Sequence, residues 1–353
     1  TGSLQNIGTI QGIGGSASGG SIANGGDGLG IRLGSGTLFE SSYSVSGAVQ
    51  AFQGITNSGL IQGIGGSATG TNAQAGLGIG LYVGLNATIN GGIHNSGIIR
   101  GSTHSIYVED AGIVSGGINI AGSAAQLIGD VRANTADMNV KSGAIFTNTN
   151  AISVNAFNVE SGATFNFNNG VSSTYDTSFV GALSIAGGIQ VANGVSNAGV
   201  IAVIAGQTPT ITGDYRQLSG GVYQPQLTSA TSYGKLNVSG TATLDPGAVV
   251  SINVVGAPYL SNGTTLSGVL TAGTLNAGSI AGVASNVTVV DNSALLGFIA
   301  STSANPNSLD LIANQTLSMV TAVEQNNNPA AVGAATVLQG MVASPPSAMQ
   351  GVI

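Results

Sequence analysis

Nine of the 21 charged or histidine residues fall between positions 100 and 160: Arg100, His104, Glu109, Asp110, Asp130, Arg132, Asp137, Lys141 and Glu160. Paired carboxylates do acid and base work on glycosidic bonds, and carboxylates joined by a cation and an Arg or Lys base can serve the same class of substrate. If the chain stacks in layers of ~20–25 residues, Glu109 or Asp110 comes to lie beside Asp130 and Arg132. The competing reading is an exposed charge ladder that blocks strand-edge pairing and keeps a nearly neutral surface soluble. That second reading is preferred, and no catalytic residue is assigned.

Other reaction centres are missing or incomplete. The strand-turn-helix nucleophile motif G-x-S-x-G does not occur, and a serine triad needs a histidine base. Only His94 and His104 are available, both expected as solvent-facing turn residues without a positioned partner. The stretch "GGDGLG" at Gly25 has the flavour of a glycine-rich calcium repeat, but Asp27 is misplaced and the motif does not recur. Calcium requires several oxygen ligands, so neither a metal nor a cofactor site is assigned. With no cysteine in the chain, no thiol or Cys/His metal chemistry is available.

The elements that hold these residues are announced by an internal repeat. "LQNIGTIQGIGGSASG" from Leu4 returns as "ITNSGLIQGIGGSATG" from Ile55, with 11 of 16 positions identical. The unit continues as "GGIHNSGIIRGSTHSIYVEDAGIVSGG" from Gly91 and fades to "GVSNAGVIAVIAG" from Gly194. Its kernel, apolar-x-Asn-x-Gly-x-Ile, makes Asn6, Asn57, Asn95 and Asn197 equivalent, and stacked asparagines at a corner can form a hydrogen-bonded ladder. Short alternating runs such as "GIRLG", "GLYVG" and "SIYVE" read as strands, and Gly, Asn and Ser supply the turns.

A repeat that cannot close its own core implies a solenoid. Helical solenoids fail because no 3.6-residue period appears, and a propeller lacks its blade signature. The expected fold is therefore all-β, a right-handed single-stranded parallel β-helix of about 13–15 coils, some 60–75 Å long. Ile7, Ile10, Ile31, Leu33, Ile61, Ile79, Leu81, Ile99, Ile106 and Val108 are expected to point inward. The glycine-rich surplus after the first two kernels reads either as a binding face or as tolerated excursions.

Composition sets the remaining bounds. Charged residues are 5%, hydrophobic residues 42% and Gly 58 of 353, a balance too apolar for a disordered chain and without the period of collagen. A net charge of -7 with six Lys plus Arg lacks the basic footprint that nucleic acid requires. There is no run of 18 apolar residues and no signal-peptide layout at "TGSLQNIG", so any signal has been removed or trimmed.

From about residue 205 the texture changes to "ITGDYRQLSGGVYQPQLTSATSYGKLNVSGTATLDPGAVVSINV". This stretch closely resembles the autochaperone end of the passenger in type V autotransporters of Gram-negative bacteria, and the upstream Asn-Ser-Gly repeats are similar to those of such passengers. The resemblance implies residues 1–204 as repeat-containing passenger, 205–316 as an autochaperone-like cap, and 317–353 as a linker toward an outer-membrane barrel that lies outside this chain. Tyr215, Tyr223, Tyr233, Pro225 and Pro246 are expected to block the open edge of the last coil. It also implies a cell-surface or secreted adhesin or self-association protein, whose partners are a host-cell or matrix receptor, another copy of itself, and its own barrel.

Overall fold

The computed structural model describes residues 3–18, 23–34, 51–148, 150–167, 189–256, 258, 260–293, 296–315, 319–325 and 328–343. Residues 19–22 of the first glycine-rich segment and the tail beyond 343 lie outside the described residues. The chain is nearly all β with long parallel sheets. The described helices are Met319–Gln325, a 3-10 turn Pro329–Ala331, and Val332–Ala343.

Three columns of strands run through the molecule. The first begins Ser3–Asn6, Gly54–Asn57, Ile93–Asn95, Ile118–Ile120 and continues to Thr265–Asn276, each strand parallel to the next. The second starts with Thr9–Ile13 and Leu60–Ile64, and its continuation runs from Ile145–Asn148 to Val287–Asp291. The third starts with Gly28–Leu33 and Gly78–Val83 and passes through Ile152–Val154 and Ile189–Val191. Inward residues of all three columns share one core, which includes Ile55, Leu81, Ile99, Ile118, Val131, Phe157 and Ile201.

The residues consumed before the chain returns to the first column vary widely, from 51 between Asn6 and Asn57 to 19 between Asn139 and Asn158. The first column accordingly holds ten strands, not 13–15 coils, and nine interstrand steps give a stack of about 43 Å. Long loops absorb the difference. Of the expected inward residues, Leu33, Ile61, Leu81, Ile99, Ile106 and Val108 are buried in the core, while Ile10 and Ile31 are half-buried against it. Ile7 is 80% exposed, because it follows Asn6 in the turn rather than in the strand. Ile79 is buried in a second cluster with Leu29 and Tyr107, since the register pairs it with Leu29 and pairs Leu81 with Ile31.

The kernel asparagines are buried and bridge the layers. Asn6 Nδ2 donates to Asn57 Oδ1 (2.8 Å) and to Leu60 O (3.1 Å), and Asn57 Nδ2 donates to Asn95 Oδ1 (2.8 Å) and Ile98 O (3.1 Å). Asn95 finishes this run on Gly97 O and Gln126 O. The next three rungs are Ile120, Val140 and Val159. Asn197 therefore does not join the ladder; it starts a separate group, donating to Val222 O (3.0 Å) and to the Tyr215 hydroxyl (3.3 Å), which in turn donates to Gln217 Oε1.

The described parts of the glycine-rich segments form slabs of backbone. Ala17–Ser18 pairs with Ala68–Thr69, and Ala23–Asn24 with Ala73–Gln74. Gly26 N donates to Gly15 O, Gly66 N to Gly26 O, and Gly76 N to Gly66 O, so the two layers bond to each other as well as along the stack. A Cβ on Gly14 would sit inside the Gly26 carbonyl, whereas one on Gly15 would meet nothing within 4 Å. Glycine is required here because backbone packs on backbone.

The closure of the stack lies later than residues 211–255. That region continues the parallel columns, and Tyr215 and Tyr223 are core side chains rather than edge covers, with the Tyr223 hydroxyl donating to Val269 O at 2.9 Å. Pro225 sits within the strand Val222–Ser229, in register with Val203. The first column ends at Thr265–Asn276, whose far edge pairs antiparallel with Ser308–Gln315, itself antiparallel to Leu296–Ser301. Reversing direction gives the last column strand a partner within the chain, which removes an open edge.

Two substitutions test these supports. Asn57→Ala removes one of the two acceptors of the Asn6 amide and the donor to the carbonyls of Asn95 and Ile98, and should cost about 2–4 kcal/mol in urea unfolding, while His94→Ala on the exposed position beside Asn95 should stay within about 0.5 kcal/mol. Gly14→Ala should lower the melting temperature sharply and Gly15→Ala should leave it nearly unchanged; equal effects would mean that the slab is not packed as described.

Candidate functional site

The charged cluster separates into several places on the surface. His94 is exposed, with Nε2 2.9 Å from Gly91 O, and Arg100 is exposed on the second column beside the rungs of Gln62 and Ile128. Lys141 and Glu160 form an ion pair one layer apart, and Glu160 also accepts from Ser142 N. The Lys141 hydrogen bond holds the Glu160 carboxyl below its usual range. Asp137 is exposed and accepts from Asn155 Nδ2 at 2.7 Å.

The densest grouping lies on the outer side of the third column. Register places Arg32, Tyr82, Tyr107 and Arg132 on four successive rungs. The two tyrosine rings stack with centroids 5.8 Å apart and planes 7° from parallel, and each terminal guanidinium lies over a ring, at 6.0 Å for Arg32 and 5.1 Å for Arg132. In-register stacking brings cation and π-face together without any loop. Tyr82 donates its hydroxyl hydrogen bond to Glu109, and Arg132 donates to the Tyr107 hydroxyl and to Asp110 Oδ1 at 3.0 Å.

The expected neighbourhood of Asp110 and Arg132 is present, but it is not a pair of working carboxylates. Glu109 is engaged by Tyr82 and Asp110 by Arg132, while Asp130 is buried and accepts from Ala151 N at 3.1 Å. Each acid has its own donor. Burial raises the Tyr82 and Tyr107 hydroxyls above the ordinary phenol range, in Tyr82 with help from Glu109. Tyr82 and Tyr107 were absent from the expected cluster, although their equivalent places in "GLYVG" and "SIYVE" carried the signal.

His104 departs from its expected place in a solvent-facing turn. It is 7% exposed, lies on the rung between Ile79 and Asp130, and meets the Tyr107 ring edge-on at 5.0 Å. Burial first, and then the Arg132 charge, lower its pKa to about 4. The bulge that interrupts pairing between Arg100 and Ile106 turns this ring into the cluster. Among the described residues, no group of three or more His, Cys, Asp or Glu could hold a metal ion.

No protein-family model matches the chain, and no curated protein matches it in sequence. In this grouping Arg132 and Tyr107 are buried, Arg32 and Tyr82 are half-buried, and Glu109 and Asp110 each pair with a donor of the stack.

A pH dependence follows from His104. Its folded pKa of about 4 lies below the ordinary histidine value of 6.5, so the unfolded chain takes up a proton between those values while the folded chain does not. Stability from this group is complete above pH 6.5 and is lost as the pH falls toward 4, by on the order of 3 kcal/mol. Urea titrations at pH 7 and pH 4.5 should show this loss, and His104→Gln should flatten it; an unchanged slope in the variant would place the acid sensitivity elsewhere.

Proposed function

We propose that the parallel columns wind as a right-handed parallel β-helix, and that the chain is a non-enzymatic passenger of the type V autotransporter kind, displayed on or released from a Gram-negative cell surface to mediate adhesion or bacterial self-association. The reading rests on one observation above others, the regular outer rows of asparagine amides, one of which ends on Asp137. Asn158 donates to Asn139 and Asn139 to Asn119 (2.9 and 3.1 Å), while Asn193 donates to Asn155 and Asn155 to Asp137 (2.8 and 2.7 Å).

Rows of amides repeated at the strand spacing of about 4.8 Å offer many weak hydrogen bonds along an extended surface. Individually they are negligible against water, but many copies on each cell multiply them through avidity. With charged residues at 5% of the chain, two such surfaces approach without strong repulsion. The mutual pairing of the ionisable cluster supports a structural rather than a chemical role for those residues. The partners in this reading are a receptor on host cells or matrix, another copy of the chain, and a membrane barrel; nucleic acid is not among them.

Cells displaying the chain should settle faster than cells without it, and soluble chain added in excess should slow the settling. Unchanged settling together with no binding to host cells or matrix would remove this reading.

A further inference from the structure

A step in the stack creates a groove away from the grouping of Arg32, Tyr82, Tyr107 and Arg132. Ala51–Phe52, Thr88–Ile89 and Ile113–Val114 form a short extra parallel sheet at the corner before the first column. The chain then contracts, from 25 residues between Asn95 and Ile120 to 20 between Ile120 and Val140, and the extra sheet stops at Ile113–Val114. Below that ledge lies an open groove of about 280 Å³, whose lining includes Ile113, Ser115, Thr135, Asp137, Asn139 and Asn155.

The groups in the groove differ in kind. Ile113 is 49% exposed and gives an apolar wall. Ser115, Thr135 and Asp137 are exposed, and the Thr135 hydroxyl donates to Gly112 O at 2.9 Å, which fixes its oxygen as an acceptor. Asn155 is held from both sides, accepting from Asn193 and donating to Asp137 Oδ1. Asp137 is therefore a positioned carboxylate with a second oxygen to offer, and a carboxylate accepts charge-assisted hydrogen bonds.

A ligand that suits this groove needs hydroxyl donors for Asp137 and Thr135 and a flat C–H face for Ile113. The volume falls just under the range of about 300–1,000 Å³ that accommodates drug-sized molecules, which limits the occupant to about one ring. An anion is disfavoured beside Asp137, and a lone carboxylate is a poor cation site, since calcium and its like take several oxygen ligands. We propose that this groove binds a single neutral pyranose unit, free or as one residue of a glycan, with Asp137 accepting from ring hydroxyls and Ile113 packing on the ring's C–H face. The groove shares Asp137, Asn139 and Asn155 with the outer amide rows, and Ile113, outside those rows, is the position that separates sugar binding from self-association.

Saturation-transfer NMR on the full chain, using the methyl glycosides of glucose, galactose, mannose and N-acetylglucosamine as probes, tests it. At least one glycoside should receive saturation at millimolar concentration, and Asp137→Ala should weaken its binding at least ten-fold while Asp110→Asn, at the separate charged cluster, leaves it unchanged. Ile113→Ser, at an exposed position, should also weaken it, and provides the reading if Asp137→Ala alters the melting curve. Absence of transfer from all four glycosides, or transfer retained in both groove variants, overturns the proposal. Settling of cells that display Ile113→Ser separates this outcome from self-association, because Ile113 lies outside the amide rows and the substitution should leave settling intact.

Discussion

The stack of this molecule depends on strands pairing in parallel and in register with the strand one layer away. Once register is set, residues at equivalent positions lie about one strand spacing apart, and their chemistry is repeated or completed by the next rung. Asparagine above asparagine becomes a buried ladder, with Asn57 donating onward to Asn95. Glycine beside backbone becomes a slab in which Gly66 donates to Gly26 across layers. Tyrosine between arginines becomes the stack of Tyr82 and Tyr107. The loops between strands differ in length because the asparagine ladder and the tyrosine stack do not run through them, whereas the glycine slab is itself made of connecting segments that bond to each other.

The same constraint explains how few charges suffice and where they go. A buried amide can be satisfied by its neighbours above and below, whereas a buried charge needs a specific counterpart. Many of the polar groups inside the stack are accordingly amides: Asn57, Asn95, Asn197 and Gln217 are wholly buried, while the buried Asp130 carboxylate has the Ala151 N–H as a donor. Arg132 is the buried cation of the outer cluster, held by Tyr107 and the exposed Asp110. Phenylalanines take over where the ladder lapses, with Phe157 and Phe165 centroids 4.8 Å apart beside the apolar rungs Val140 and Val159. Core filling and amide bridging are alternatives at the same corner.

Much of this was legible in the residues. The kernel repeat announced both the strand order and the equivalence of Asn6, Asn57 and Asn95, because a 16-residue stretch copied 51 positions later with 11 identities is no accident of composition. The layer count was not legible, since periodicity marks strands but loop length between them carries no signal. Ile7 was misplaced because an apolar residue beside a kernel looks like a strand residue when only its type is known. His104 was misplaced because a register irregularity turns it inward, and such bulges leave no mark in a one-dimensional pattern. The tyrosines of residues 211–255 were read as edge covers, yet Tyr215 and Tyr223 are buried with their hydroxyls bonded inside. The groove below Ile113 had no sequence signature, arising from a difference between two layers.

The most direct measurement of the register is a cysteine cross-link, because the chain has no cysteine of its own and any disulfide is unambiguous. Thr56 and His94 are in-register partners on adjacent strands, and Cα atoms about one strand spacing apart fall within the 4.4–6.8 Å, or roughly 5–6 Å, that a disulfide accepts. The variant carrying Thr56→Cys and His94→Cys should oxidise readily to an intramolecular disulfide, while His94→Cys with Arg216→Cys, several layers apart in the same outer row, should remain reduced in the monomer. Failure of the first pair to close, or closure of both at the same rate, would contradict the register on which the whole account stands.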